Sequence, residues 1–148
     1  MPILSNRSLL YKKRLFHIIW STYKSMSVIK RCVYVSGCPS SVSGPSGSIR
    51  SPNYPRNYNN YHRCSWGITV SSGYRIKLTF QRFITEKCCV YLKIFDGPST
   101  SSSQLVKLIG SKSTPLVYFS SGSSMWFYFY TDHSVTAKGF SATFTIGT

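Results

Sequence analysis

From Cys38 onward, apolar and polar residues alternate with a period of two between closely spaced turn signals, and no other feature narrows the fold so far. Tyr74, Ile76, Leu78 and Phe80 fall on one side of an extended chain, while Arg75, Lys77 and Thr79 fall on the other. Val90, Leu92 and Ile94 are set against Lys93, and Phe140, Ala142, Phe144 and Ile146 against Ser141, Thr143 and Thr145. Gly44-Pro45-Ser46-Gly47, Ser51-Pro52-Asn53, Ser71-Ser72-Gly73, Asp96-Gly97-Pro98 and Ser120-Ser121-Gly122 punctuate these runs, with the residues that turns require. Met125 to Tyr130 is apolar or aromatic throughout, which predicts a central strand buried on both faces. No segment has a 3.6-residue period. The expected fold is all-β, a β-sandwich preceded by a basic leader.

A chain of 148 residues accommodates one domain with a core, not two. Residues 1–37 read as the leader, either a degenerate signal sequence or a disordered segment, and residues 38–148 as the domain. A basic cluster, Lys12 to Arg14, precedes the short apolar run Leu15 to Trp20, as in a signal peptide. That run is far below the ~20 apolar residues needed to span a bilayer, so no transmembrane segment is expected.

The chain has 18 Lys and Arg against 3 acidic residues, for a net charge of +15. Seven of the basic residues lie in the leader, which leaves eleven in the domain against Glu86, Asp96 and Asp132. So few carboxylates exclude paired-carboxylate catalysis and carboxylate-rich metal cages, and no enzymatic activity is expected. The positive charge favours acidic partners through long-range steering. Specific nucleic-acid recognition is not expected.

Five cysteines occupy positions 32, 38, 64, 88 and 89, an odd number without the doublet spacing of a zinc site. Disulfides are the better reading. A Cys38–Cys64 bridge closes a loop worth roughly 3.5 kcal/mol in the chain-entropy model. Cys88 and Cys89 are adjacent at a strand start, where side chains of an extended chain point to opposite faces. They are not expected to bond each other: one is expected as a buried thiol and the other as a partner for Cys32 or a second chain.

Several motifs, in order, resemble the CUB domain family. Gly47 to Pro55 (GSIRSPNYP), Tyr58 and Cys64 to Ile68 (CSWGI) resemble its opening. Gly73 to Phe80, Phe83, Glu86 and Tyr91 to Gly97 (YLKIFDG) continue it, and Phe129 to Ser134 with Gly139 to Phe144 resemble its closing strands. The resemblance covers about three quarters of the chain. It implies a secreted, non-catalytic, jelly-roll-like sandwich of two antiparallel sheets that recognises an extracellular protein or glycan, in some proteins as an accessory domain of a protease. It also implies a loop-end calcium cluster formed here by Glu86, Asp132 and Ser134, with Tyr58 beside them. The same four residues are the expected partner-binding set. Val90 stands where the family has a third acid, so calcium binding is expected to be weak or absent. Ile109 stands where the family has its fourth cysteine, which removes the second family disulfide.

Three further constellations are ambiguous in sequence. Asp132-His133-Ser134 has the residue types of a hydrolytic triad, but consecutive residues on an extended chain do not converge. The loop containing Tyr54, Arg56, Asn57, Tyr58, Asn59, Asn60, Tyr61, His62 and Arg63 suits stacking on sugars or gripping an acidic protein, and equally suits covering a sandwich edge. Arg75, Lys77, Lys93 and Lys107 fall on outward strand faces. There they are either solvated or available to a polyanion, and the latter would make the domain a calcium-independent adhesion module.

Overall fold

The computed structural model describes residues 37–147. The leader expected over residues 1–37, with Cys32, therefore lies outside the described residues except for Gly37. The described residues form nine strands and no helix. They are β1 (Val42–Ser43), β2 (Ser46–Arg50), β3 (Arg63–Thr69), β4 (Arg75–Ile84), β5 (Tyr91–Asp96), β6 (Ser103–Ile109), β7 (Leu116–Phe119), β8 (Ser124–Tyr130) and β9 (Gly139–Gly147). None of this supplies a helix long and apolar enough to cross a membrane.

The strands pair into a five-stranded sheet ordered β1-β3-β8-β5-β6 and a four-stranded sheet ordered β2-β9-β4-β7. Every pairing is antiparallel except the two-residue β1–β3 contact. The period-two pattern decides which side of each strand is dry. Ile76, Leu78 and Phe80 of β4, Phe140, Ala142 and Phe144 of the neighbouring β9, and Leu92 and Ile94 of β5 in the other sheet are all buried in one core. Phe140 sits at the centre of this core. Its ring lies 5.4–6.1 Å from those of Trp66, Phe80, Phe83 and Phe129, drawn from both sheets.

Two sequence expectations fail here for identifiable reasons. β8 is central, but only Met125, Phe127 and Phe129 are buried; Trp126, Tyr128 and Tyr130 are half-buried on the outer face. A two-layer sandwich puts the outer face of each sheet in water, so the unbroken aromatic run reflects an aromatic surface rather than a second core. The second failure concerns Cys88 and Cys89, which are bonded to each other and both exposed. They occupy a bend before β5 rather than an extended strand, and the opposite-face argument requires an extended chain. Cys38 and Cys64 are joined as expected, with Cα atoms 5.2 Å apart.

Hydrogen bonds join the strand ends near Ile109. Thr85 Oγ1 accepts from Gly110 N at 2.8 Å, Thr85 N donates to Gly110 O at 3.3 Å, and Lys112 N donates to Phe83 O at 3.0 Å. These bonds tie the end of β4 to the end of β6, and Ile109 is half-buried beside Tyr91 on the outer face.

Candidate functional site at one end of the sandwich

Three connections meet at the same end of the sandwich: residues 51–62 between β2 and β3, 85–90 between β4 and β5, and 131–138 between β8 and β9. Each contributes to one polar cluster. Ser134 Oγ lies 2.9 Å from Asp132 Oδ2 and 3.3 and 3.4 Å from the two Glu86 carboxylate oxygens. Ser134 N donates to Asp132 Oδ1 at 3.1 Å. That backbone bond, reinforced by the Ser134 hydroxyl, holds the Asp132 carboxyl below its usual range. Asp132 and Ser134 are two residues apart on a bent loop, and their side chains converge without His133 between them.

Tyr58 was expected among the partner-contacting residues, but it is fully buried with its ring edge against Phe129 at 5.5 Å. A side chain with no exposed surface cannot touch a partner. Its hydroxyl instead accepts from Glu86 N at 3.1 Å, which anchors the connection carrying the Glu86 carboxylate. Burial raises the Tyr58 pKa, and the charges of Glu86 and Asp132 raise it further.

Asn60 joins the cluster although the sequence places it only in a general polar loop. Its Nδ2 donates to Ser134 O at 3.0 Å, and its Oδ1 is buried without a hydrogen-bond partner. Thr131, inside the Phe129–Ser134 motif but given no role there, accepts from His62 N at 2.8 Å and donates to Asn59 O at 2.8 Å. It thereby pins the Tyr58–His62 stretch to the exit of β8. Among the loop tyrosines, Tyr61 is the exposed one, at 68%, and its N–H donates to Asp132 O at 2.8 Å. Val135, beside Ser134, is 56% exposed. The cluster thus has two carboxylates at its centre and apolar groups at its rim. Val90, at the position where a third acid is expected from the resemblance, is fully buried in the core.

A second group of ligand-type residues, Cys38, His62 and Cys64, has donor atoms within 4.8 Å of one another. Both sulfurs are consumed in the disulfide, so no thiolate is available to a metal. His62 is 1% exposed, with Nδ1 3.9 Å from Cys64 Sγ and Nε2 unpartnered. Burial lowers its pKa.

Comparison with known proteins places this geometry. A family model described as CUB domain matches residues 38–144. Human Tolloid-like protein 2 is 40% identical over 111 residues, covering 72% of this chain and 11% of that protein. Dog cubilin is 39% identical over 115 residues, covering 75% of this chain and 3% of that protein. The chain therefore spans a small fraction of the curated relatives it matches. Among solved structures, the CUB1-EGF-CUB2 region of human MASP-1/3 aligns at a TM-score of 0.62 and 32% identity, covering 70% of this chain and 42% of that one.

Proposed function

Since the chain belongs to the CUB domain family, we propose that it is a secreted, non-catalytic recognition module whose loop end grips a basic side chain of a protein partner. The observation that carries this reading is the convergence of Glu86 and Asp132 on Ser134 Oγ from two separate connections. Two of the three acidic residues in a chain of net charge +15 meet at one point. Like charges brought together are stabilised by a cation, whether a metal ion or a partner's Lys or Arg. Exposed Tyr61 and Val135 supply apolar contact around the charged centre, the arrangement in which interface anchors act.

The donor set also fits a weakly held calcium ion. Glu86 and Asp132 would supply the charged ligands, Ser134 and Asn60 neutral oxygens, and Tyr58 would hold the Glu86 connection in place. Calcium bound here would neutralise the carboxylates and stiffen the three connections. Because calcium takes about six to eight oxygens and its affinity rises with ligand charge, two carboxylates without a third support weak binding at most, with a Kd on the order of 1 mM.

Thermal unfolding of the full chain in calcium, magnesium and chelator tests the reading. Calcium at about ten times Kd adds roughly 1.4 kcal/mol to the wild type, and Asp132→Asn and Glu86→Gln abolish that gain. A calcium response equal in Asp132→Asn and wild type would sink the proposal, as would equal binding of wild type and Asp132→Asn to an immobilised lysine-rich peptide.

A further inference from the structure

The outer face of the five-stranded sheet carries groups that the loop end does not use. Strand register sets its outward side chains in rows, with Arg63 opposite Tyr130 opposite Tyr91 in one and Ser65, Tyr128, Lys93 and Lys107 in the next. Trp126 occupies the third row, lying over Gly67, where an added Cβ would come within 2.8 Å of the indole. The indole N–H donates to Ser65 Oγ at 2.6 Å. With strands about 4.8 Å apart and alternate residues about 6.8 Å apart, four strands and three rows make a platform about 14 Å square.

The cations of this platform lie on its rings. Arg63 is 5.6 Å from the Tyr130 centroid, and the Lys93 and Lys107 ammoniums are 5.5 and 4.4 Å from that of Tyr91. No acidic residue projects from this face. Glu86 and Asp132 lie in the loop-end cluster, and Asp96 shares the inward parity of Leu92 and Ile94, its Oδ1 accepting from Ser121 N. Lys93 and Lys107 are direct cross-strand partners, and like charges in that position destabilise a sheet. A bridging anion relieves that repulsion.

We propose that this face binds a sulfated polysaccharide chain, with sulfates over Lys93, Lys107 and Arg63 and a sugar ring against Tyr128 and Trp126. A linear chain suits an open platform, and a dense polyanion matches three cations that have no counter-ion. A second copy of the chain would bring the same positive face and be repelled. A nucleic-acid strand would stack its bases on free ring faces, whereas Lys107 already covers Tyr91. The inference stands apart from the loop-end reading, because neither carboxylate takes part.

The test is binding of the full chain to immobilised heparin and to desulfated heparin across a salt series. Heparin is bound, desulfated heparin is not, and chelator changes nothing. Lys93→Gln/Lys107→Gln weakens binding about tenfold with a shallower salt dependence, while unfolding at or above the wild-type temperature. Tyr128→Ala weakens it about fivefold with the salt dependence unchanged. Lys77→Gln/Arg82→Gln, an equal charge change on β4 of the other sheet, leaves binding at wild-type strength. An equal loss from that second pair would assign the binding to net charge and overturn the proposal. So would retention of desulfated heparin, or displacement of heparin by single-stranded oligonucleotide at equal charge.

Discussion

Tyr58→Phe separates two tasks that one buried side chain performs. Its ring fills core volume against Phe129, and its hydroxyl accepts the Glu86 N–H at 3.1 Å. Phenylalanine keeps the ring and deletes only the acceptor. A neutral hydrogen bond contributes about 0.5–1.5 kcal/mol net. Glu86 is half-buried, so water can reach the released N–H, and the expected loss is about 1 kcal/mol. Tyr58→Ala also opens a cavity, and the aromatic-to-alanine range of about 3–5 kcal/mol applies. Urea unfolding followed by tryptophan fluorescence measures both, and hydrogen exchange reports the Glu86 amide directly. In Tyr58→Phe that amide loses protection while the strand amides of β4 and β5 keep theirs, and calcium stabilisation falls with it. Unchanged protection at Glu86, or a Tyr58→Phe cost equal to that of Tyr58→Ala, would refute the positioning role.

Two further outcomes follow from buried groups. His62 is held neutral by burial, so its folded pKa lies below the unfolded value. The unfolded state then binds a proton that the folded state refuses. Stability is full above the unfolded pKa of about 6.5 and falls as pH drops through the folded pKa. His62→Gln flattens that slope in urea midpoints measured between neutral and mildly acidic pH. Gly139 has a φ of +77°, and a Cβ there would strike Ser51 Oγ, which accepts from Phe140 N at 3.0 Å. Gly139→Ala therefore combines left-handed strain of about 1–2 kcal/mol with a disturbed buried hydrogen bond of about 1 kcal/mol. A thermal-unfolding loss below 1 kcal/mol would contradict this sum.

The sandwich was legible because burial in a two-layer sheet is written in alternate residues. Ile76, Leu78 and Phe80 declare their side of β4 without knowledge of any partner strand. What failed required knowledge of the chain's path. A bend at Cys88–Cys89 overrides strand parity, and the run from Trp126 to Tyr130 looks apolar whether its outer face is covered by protein or by its own rings. Tyr58 illustrates the same limit. The motif places it beside the acids, but only the fold shows that its hydroxyl meets the Glu86 backbone from inside the core. Asn60 was visible only as one member of a polar loop and Thr131 only as one position of the Phe129–Ser134 motif, since their roles depend on loops that meet only after the strands pair.

The distribution of charge links the two surfaces. With three acids and eleven bases in the residues from 38 onward, an even spread would leave each acid surrounded by cations and screened. Two acids are instead concentrated at the loop end, and the third is spent on the Ser121 backbone N–H at the other end of β5. The outer platform is left without a counter-ion. Such segregation costs Coulomb energy in the isolated molecule, at Glu86–Asp132 as at Lys93–Lys107, and a ligand of opposite sign would recover each cost. On the two proposals, the loop end takes a cation and the sheet face an anion. Raising ionic strength weakens the second surface sharply, because its charges are exposed and multiple. The first, where the carboxylates are half-buried and hydrogen-bonded to Ser134, responds less to salt and more to the removal of a divalent ion.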